Sequence, residues 1–582
     1  MKGATGHWAA AAIACFVALT PVSGAAGAGP ELRFDRASPE PLRDQVAFDL
    51  GVLDAPGEPA RAPLAPFTIN HMFPATLLAG GEDVTVEAGL SPLPAFPGYE
   101  RLQDAPAPGA PGLYVHASDA PDRAGAELRL LAHAMPASGR VVFASRSVSA
   151  VAAEGVSWQR RTTPDGLVSF SFTIAPGAAL VFDVANNDLP VFVRDSAQPT
   201  WVGPDAVPAA GPDFTLELRD RHSYSSADFD GDGDRDLFIA GGGYGGAIER
   251  YARWARDELL LARGGSFRRG PAPPKAICRG RASAAPDADR DGLADVFVDC
   301  EGASPRLHLN RGGGRWDTRE LEVEGTTFRW LGADRDRAVE LLAFGPTAMT
   351  AYEGGVEREY SVALRGAPSG PPAVGDLLGL GRPVVYVPST DGSTLVAGRR
   401  ALDPVELGLP DASTAAAIVD VDNDGARDLH LAPQGLYLQD GGGRFEATGR
   451  LGVEAAYVAL TWADLEGDGR RDLLALSGKG PFAPAKRIRR FRNRTQAGNW
   501  LAVDSAELML GDRIEVRAGG ERQVGWVGES EGSRWSDTHR RVYFGLGEAR
   551  RASVVVRPAR GGKLTFEARA NRVIDPARRL KR

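Results

Sequence analysis

The sequence predicts an all-β fold: a β-propeller of seven or six blades, with an N-terminal β-sandwich-like region and a small C-terminal β domain. Three observations predict it. An acidic loop with glycine at a fixed place leads into a short apolar strand. This unit recurs at near-constant spacing. A glycine-rich hairpin follows several of the copies.

The clearest loop carries Asp228, Asp230, Asp232, Asp234 and Asp236, with Gly233 at its sixth place. Alternating carboxylates on a tight turn can converge on one hard cation, and calcium takes about 6–8 oxygen ligands. Glycine at the sixth place lets the chain turn with positive φ. An EF-hand would need a glutamate at place twelve and flanking helices. Place twelve is Ile239, within Leu237-Phe238-Ile239, so the loop is read as joining two strands.

Three further loops repeat the acids at places 1, 3, 5 and 9 and the glycine at 6. They are Asp287, Asp289, Asp291, Asp295 with Gly292; Asp420, Asp422, Asp424, Asp428 with Gly425; and Asp464, Glu466, Asp468, Asp472 with Gly469. These carboxylates are the candidate metal ligands, for about four Ca2+ ions. Worn copies stand at Asp334, Asp336 and Glu340, and at Asp376 with Gly381. The units start at 228, 287, 332, 376, 420 and 464. A strand-rich repeat of about 40–50 residues is the mark of propeller blades. A further step back reaches Asp183, Asn187 and Asp188 before Val191-Phe192-Val193, where spacing predicts a seventh unit.

In chain order, residues 1–28 read as a secretory signal: Lys2, an apolar core from Ala9 to Leu19, and the small residues Ala26-Gly27-Ala28. That core is too short to span a bilayer, and no later run reaches that length. The expected location is secreted, periplasmic or cell-surface. Residues 29–111, rich in Pro, Ala and Gly, read partly as an extended linker around the short piece Glu82 to Glu87. Residues 112–182 read as a small β-sandwich, with Phe170, Phe172 and Ile174 alternating with polar neighbours. Residues 183–497 form the predicted propeller. Within it, Leu259 to Leu261, Leu307 to Leu309 and Leu436 to Leu438 each run into a Gly-rich turn and then Phe267, Trp316 or Phe445, as hairpins. Residues 498–582 form the C-terminal β domain.

Composition agrees: 71 Gly and 42 Pro among 582 residues suit a turn-rich β protein. The net charge is −8. Without the acids of the four intact loops, basic residues outnumber acidic ones, so the acidity belongs to the loops and points to no nucleic-acid partner. Signal removal would take Cys15 and leave Cys278 and Cys300 flanking the second loop, where a disulfide or two buried thiols would fit. No His-Glu-x-x-His or Cys-x-x-Cys motif occurs, so zinc is not expected. His308 and His430 lie in strand patterns and read as packing or surface residues.

Two motifs are read as decoys. Gly241, Gly243 and Gly246 match a dinucleotide fingerprint but lack a parallel βαβ setting. Gly528-Glu-Ser530-Glu-Gly532, followed by Asp537 and His539, matches a nucleophile elbow but sits in a short β domain. No catalytic residue is assigned.

The acidic loops with their strands, and the hairpin from Leu436 to Phe445, resemble FG-GAP or VCBS repeats. Asn499-Trp500-Leu501, the stretch Gly511 to Val516 and above all Val542-Tyr-Phe-Gly545-Leu-Gly547 resemble the ASPIC/UnbV domain. The combination resembles secreted CRTAC1-like proteins. The resemblance implies calcium-binding propellers with a role in adhesion or matrix interaction. It departs at Gly532 to Asp537, where the family usually has a Tyr-Leu-Ser-Gln-like segment. The reading this supports is an exported scaffold binding a protein or glycan at the cell surface, with no integral membrane segment after signal cleavage. An extracytoplasmic enzyme with a site in the propeller channel, such as a polysaccharide-acting one, and an assembly or maturation factor are the alternatives. Calcium is expected to relieve repulsion among the loop carboxylates and tie adjacent strands. The alternative is an ion that bridges to an acidic ligand.

Overall fold

A computed structural model describes residues 32–36, 47–54, 63–70, 76–79, 82–83, 111–119, 125–143, 148–151, 153–162, 168–185, 191–193, 200–202, 207–208, 215–217, 221–242, 257–274, 279–332, 339–448, 457–477, 488–529, 532, 536–537 and 539–577. The fold is all-β, in many small sheets, and the one helical element lying wholly within the described residues is the 3-10 turn Pro404–Leu407.

Among the described residues, seven four-stranded antiparallel units dominate. Unit 1 comprises Ala47–Leu53, Ala65–Asn70, Thr76–Ala79 and Glu82–Asp83. Unit 2 comprises Arg221–Ala227, Asp236–Gly241, Glu258–Arg263 and Ser266–Arg269. Units 3 to 6 span 280–320, 327–363, 373–402 and 415–447. Unit 7 comprises Tyr457–Ala463, Asp472–Ser477 and Ile488–Asn493, and its outer strand is Phe34–Arg36 from the start of the chain.

Burial explains the order within a unit. Second strands such as Asp236–Gly241 and Asp428–Ala432 are buried along their whole length, as strands covered on both faces must be. Fourth strands such as Trp316–Glu320 are mostly exposed. Each unit packs on the next through an apolar cluster. Phe238 and Leu259 meet Val296 and Val298, and Phe297 and Leu309 meet Phe328 and Leu341. Phe344 and Met349 meet Val385 and Val396, and Tyr386 and Leu395 meet Ile418 and Leu431. Ala417 and Leu436 meet Trp462 and Phe491. Unit 7 in turn packs on unit 1 (Leu474 and Leu476 on Leu50 and Val52), and unit 1 packs on unit 2 (Leu53 and Phe67 on Tyr224 and Leu237).

Two placements differ from expectation. Asp183 lies in Ala179–Ala185 and pairs with Glu127 in the sandwich, so no four-stranded unit starts there. Unit 1 instead falls within 29–111. It lacks the acidic loop that marks the other copies, and the sandwich separates it from unit 2, so spacing could not find it. Of the Glu82 to Glu87 piece, Glu82–Asp83 is a strand and the rest lies outside the described residues.

The sandwich has a five-stranded and a six-stranded sheet, and its strands run from Gly112–Asp119 to Thr215–Glu217, past the predicted boundary at 182. Phe143, Phe170 and Phe182 fill its core, with ring centroids 5.0–5.7 Å apart. In the C-terminal domain, Asn499–Val503 pairs with Val542–Gly547 and Arg572–Ile574 beside a four-stranded sheet, over a core that includes Ile514, Val516, Phe544 and Val554. Cys300 is disulfide-bonded, and Cys278 lies outside the described residues. The signal segment and Gly243 to Gly246 also lie outside them. No described helix is long and apolar enough to cross a membrane.

Candidate metal centre

Each intact loop joins the first and second strands of units 2, 3, 6 and 7, and one hydrogen-bond plan builds them all. The Oδ2 of the first-place aspartate accepts from the amide of the sixth-place glycine: Gly233 to Asp228 (2.9 Å), Gly292 to Asp287 (3.2 Å), Gly425 to Asp420 (3.1 Å) and Gly469 to Asp464 (2.9 Å). The worn loop keeps this bond, Gly381 to Asp376 at 2.8 Å. The four intact-loop glycines have φ between 81° and 100°, which is why a side chain is disfavoured there.

The ninth-place aspartate staples the loop to the third strand. Asp236, Asp295, Asp428 and Asp472 each accept through Oδ1 from the amide of Ala262, Asn310, Gln439 or Asn493, at 2.8–3.0 Å. In the first three, Oδ2 also accepts from the second-place amide of Phe229, Ala288 or Val421, at 2.9 Å.

Three groups of carboxylates converge, each residue offering an oxygen within 4.8 Å of the others: Asp228, Asp230 and Asp236; Asp287, Asp289 and Asp291; and Asp420, Asp422 and Asp428. Such groups can hold a metal ion. The buried oxygens Asp287 Oδ1 and Asp420 Oδ1 accept no hydrogen bond, so the sites fit a cation by donor chemistry. Burial is the main reason that Asp287 and Asp420 are pushed up to about 6, and Asp236, Asp295 and Asp424 to about 7. Repulsion from neighbouring carboxylates adds to the rise. Among the predicted ligands, Asp232, Asp234, Asp295 and Asp424 stand outside the three converging groups. Asp234 donates its amide to Asp232 Oδ1 at 3.0 Å, and Asp424 Oδ1 takes the Ala426 amide at 2.7 Å.

The fourth loop differs: Asp464, Glu466, Asp468 and Asp472 form no converging group among the described residues. Arg490 lies between Asp472 (2.7 Å) and Glu466 (3.2 Å), and Arg492 reaches Glu466 at 3.1 Å. Guanidinium here occupies the carboxylates that a cation would use. The arginine immediately after the stapled third-strand residue also reaches the acids of the first two loops. Arg263 pairs with Asp230 and Asp232, and Arg311 with Asp289 (2.6 Å) and Asp291 (3.2 Å). The third loop has Asp440 at that position.

Spacing alone did not point to what covers this face. Gly545 donates to Asp420 Oδ2 at 3.0 Å, Gly547 to the Asn423 carbonyl at 3.0 Å and Gly498 to the Asp422 carbonyl at 2.8 Å. A buried network joins the first loop to the same domain. Arg235 binds Asp54 and Asp504, both at 2.5 Å, and Arg541 binds Asp504 at 2.9 Å. Burial alone would raise the Asp504 carboxyl, but Arg235 and Arg541 reverse that and hold it below its usual value.

The segment after strand Glu521–Trp526 reaches the first strands. The Ser536 amide donates to Asp49 at 2.7 Å and the Asp537 amide to the Tyr224 carbonyl at 3.0 Å. Arg540 donates to the Ser226 carbonyl (2.9 Å) and to Asp537 (2.6 Å), and Glu529 pairs with Arg427 at 3.2 Å. A Cβ on Gly532 would lie 1.8 Å from the Leu460 carbonyl, so only glycine fits there. Gly532 therefore lies at a docking contact, with no elbow into a helix among the described residues; Ser530 lies outside them. Apolar lengths in 47–70 were the available signal for Asp49 and Asp54. Nothing in the sequence signalled the role of Ser536 to Arg541.

An FG-GAP-like repeat model matches residues 420–475, the third and fourth loops with the strands between them. No curated protein sequence matches the chain. Among solved structures, it is similar to the Photorhabdus luminescens Tc holotoxin pore (13% identity, 76% of this chain and 22% of that one, TM-score 0.28). It is similar to BBS1N in complex with ARL6DN (10% identity, 66% and 94%, TM-score 0.25) and to the V. cholerae biofilm matrix protein Bap1 (10% identity, 93% and 76%, TM-score 0.25). The chain spans about a fifth of the holotoxin component it matches.

Proposed function

We propose that this protein is an exported, calcium-binding β-propeller scaffold that binds a protein or glycan ligand at the cell envelope. Seven-bladed closure is supported by the packing of each unit on the next and of unit 7 on unit 1, with the N-terminal strand Phe34–Arg36 completing the last sheet. In this reading 498–582 is an ASPIC/UnbV-like domain seated on the acidic-loop face, and residues 1–28 direct export.

The observation that carries the calcium assignment is the pair of buried, unpartnered oxygens on Asp287 and Asp420, both members of converging carboxylate groups. First-place and third-place acids would hold the ion, joined by the ninth-place Asp236 and Asp428 in the first and third loops and by the fifth-place Asp291 in the second, and the ion would neutralise them. The ninth-place acids also hold the frame through backbone amides. Calcium is thus structural, and its affinity falls from the third loop to the fourth as arginine takes the acids over. Ligand contact falls to surfaces the C-terminal domain leaves open. One is the sandwich edge strand Val156–Thr162, exposed from Ser157 onward, where Trp158 is 38% exposed. Gly532, Ser536, Asp537 and Arg540 contact the first strands, which disfavours an enzyme site there.

Melting curves in CaCl2 and in EGTA test the reading. Chelation is expected to lower the Tm by several degrees, and Asp424→Ala to cost less than full chelation. An identical curve in EGTA would reject bound calcium. Envelope pull-down in CaCl2 tests the binding role, with Trp158→Ala, which also gives up an edge contact with Phe170, expected to reduce capture at temperatures where the variant stays folded.

A further inference from the structure

We propose that the third loop is an interdomain clamp: a divalent cation of calcium's class held by Asp420, Asp422 and Asp428 fastens the C-terminal domain to the blades. This rests on the cation reading above and extends it to what one site controls.

The third loop differs from the others in how it is buried. Asp420 is 0% exposed. Its Oδ2 accepts from Gly425 within the loop and from Gly545 of the C-terminal domain, while Oδ1 has no partner. The loop backbone is bound to the same domain through Asp422 and Asn423, whose carbonyls accept from Gly498 and Gly547. Asn423 sits in the left-handed region (φ 58°) and sends its side-chain amide to the Gly469 carbonyl at 3.1 Å. Arg471 donates to Asn423 Oδ1 at 2.8 Å and to the Asp420 carbonyl. The fit is tight: a Cβ on Gly545 would lie 2.1 Å from Asp420 Oδ2, and one on Gly498 would lie 2.6 Å from the Asn423 carbonyl.

The cation ligands and the docking acceptors are therefore the same few residues. With the ion bound, the acids are drawn together, and Asp420 Oδ2 and the Asp422 and Asn423 carbonyls are set at their docking positions. Without it, three buried carboxylates within 4.8 Å repel, and the loop relaxes away from those positions. The first two loops carry exposed acids at places 3 and 5 with arginine on them, whereas the third has Asp440 at that position, and its neighbour Arg471 donates to the Asp420 backbone carbonyl. Coupling of this kind is reciprocal: docking must tighten the ion as the ion tightens docking.

Calcium titration calorimetry and amide hydrogen exchange on the full chain test this, using CaCl2 as the probe and Asp289→Asn in the second loop as the control. Calcium is expected to slow exchange at Gly498, Gly545 and Gly547 about tenfold in the parent and in D289N. Asp422→Asn should lose that protection while still taking up calcium elsewhere. Gly545→Ala, which leaves every acid in place, should weaken one calcium site about tenfold. Calcium uptake without change at those three amides, or full protection in D422N, or unchanged affinity in G545A, would each overturn the clamp and leave the calcium scaffold standing. No calcium uptake in the parent would overturn both.

Discussion

Asp295 and Asp291 carry the same carboxylate four residues apart, yet the fold uses them differently. Asp295 is fully buried and accepts the amides of Ala288 and Asn310, so it is framework. Asp291 is exposed, belongs to a converging group and accepts from the Leu293 amide and the Arg311 guanidinium. Asp295→Ala strands two buried donors at a cost of roughly 1–3 kcal/mol each, and should lower the Tm equally with and without calcium. Asp291→Ala should lower it only in calcium. Parallel melting curves of both variants check this asymmetry. His430 makes a second residue-scale prediction. It is buried, lies 5.5 Å from the Trp462 ring, and burial depresses it to about 4, as it does His308. Below about pH 6.5 the unfolded chain takes up a proton that the folded imidazole refuses until about 4. The stability this group supports is therefore present above pH 6.5 and lost as pH falls toward 4, by up to about 1.4 kcal/mol per unit. His430→Phe keeps the ring contact and should flatten that part of the pH–stability curve in urea titrations.

At the scale of elements, the loops were legible because their chemistry is local. Acids at places 1, 3, 5 and 9 and the positive-φ glycine mark strand-to-strand turns whatever surrounds them. The hairpins were legible for the same reason, and His308 and His430 do lie buried in strands. Unit 1 was not legible: its strands carry no acid loop, and the sandwich is inserted after it. The strand Phe34–Arg36 was not legible either, because three residues gain a partner only from Phe491 to Asn493, more than 450 residues later. A chain beginning at residue 38 should leave unit 7 three-stranded and uncover part of the Phe34–Trp462 edge contact. Its Tm should fall by several degrees, with the largest loss of hydrogen-exchange protection in 488–493.

At the scale of the molecule, the two ends of the chain share one set of charges. Asp54, Arg235, Asp504 and Arg541 join unit 1, the first acidic loop and the C-terminal domain, and both partners of the Asp504–Arg541 pair are 1% exposed. Removing one member of a buried pair leaves the other uncompensated, at about 3–5 kcal/mol. Asp504→Ala should therefore give two thermal transitions in calorimetry, with the C-terminal domain melting first. One unsplit transition at the parent temperature would count against this network as the join.

Composition, period and loop chemistry determined the all-β class, the repeating unit, and which carboxylates are candidates for a cation. Those signals survive because an acidic turn, a buried strand and a hairpin are each specified within about ten residues. Only the tertiary structure decided which unit opens the series, that the fourth loop belongs to arginine, and that the C-terminal domain covers the acidic face and inserts Ser536 and Asp537 among the first strands. Those outcomes depend on which distant surfaces can bury apolar area and satisfy charges together, and no local pattern carries that information.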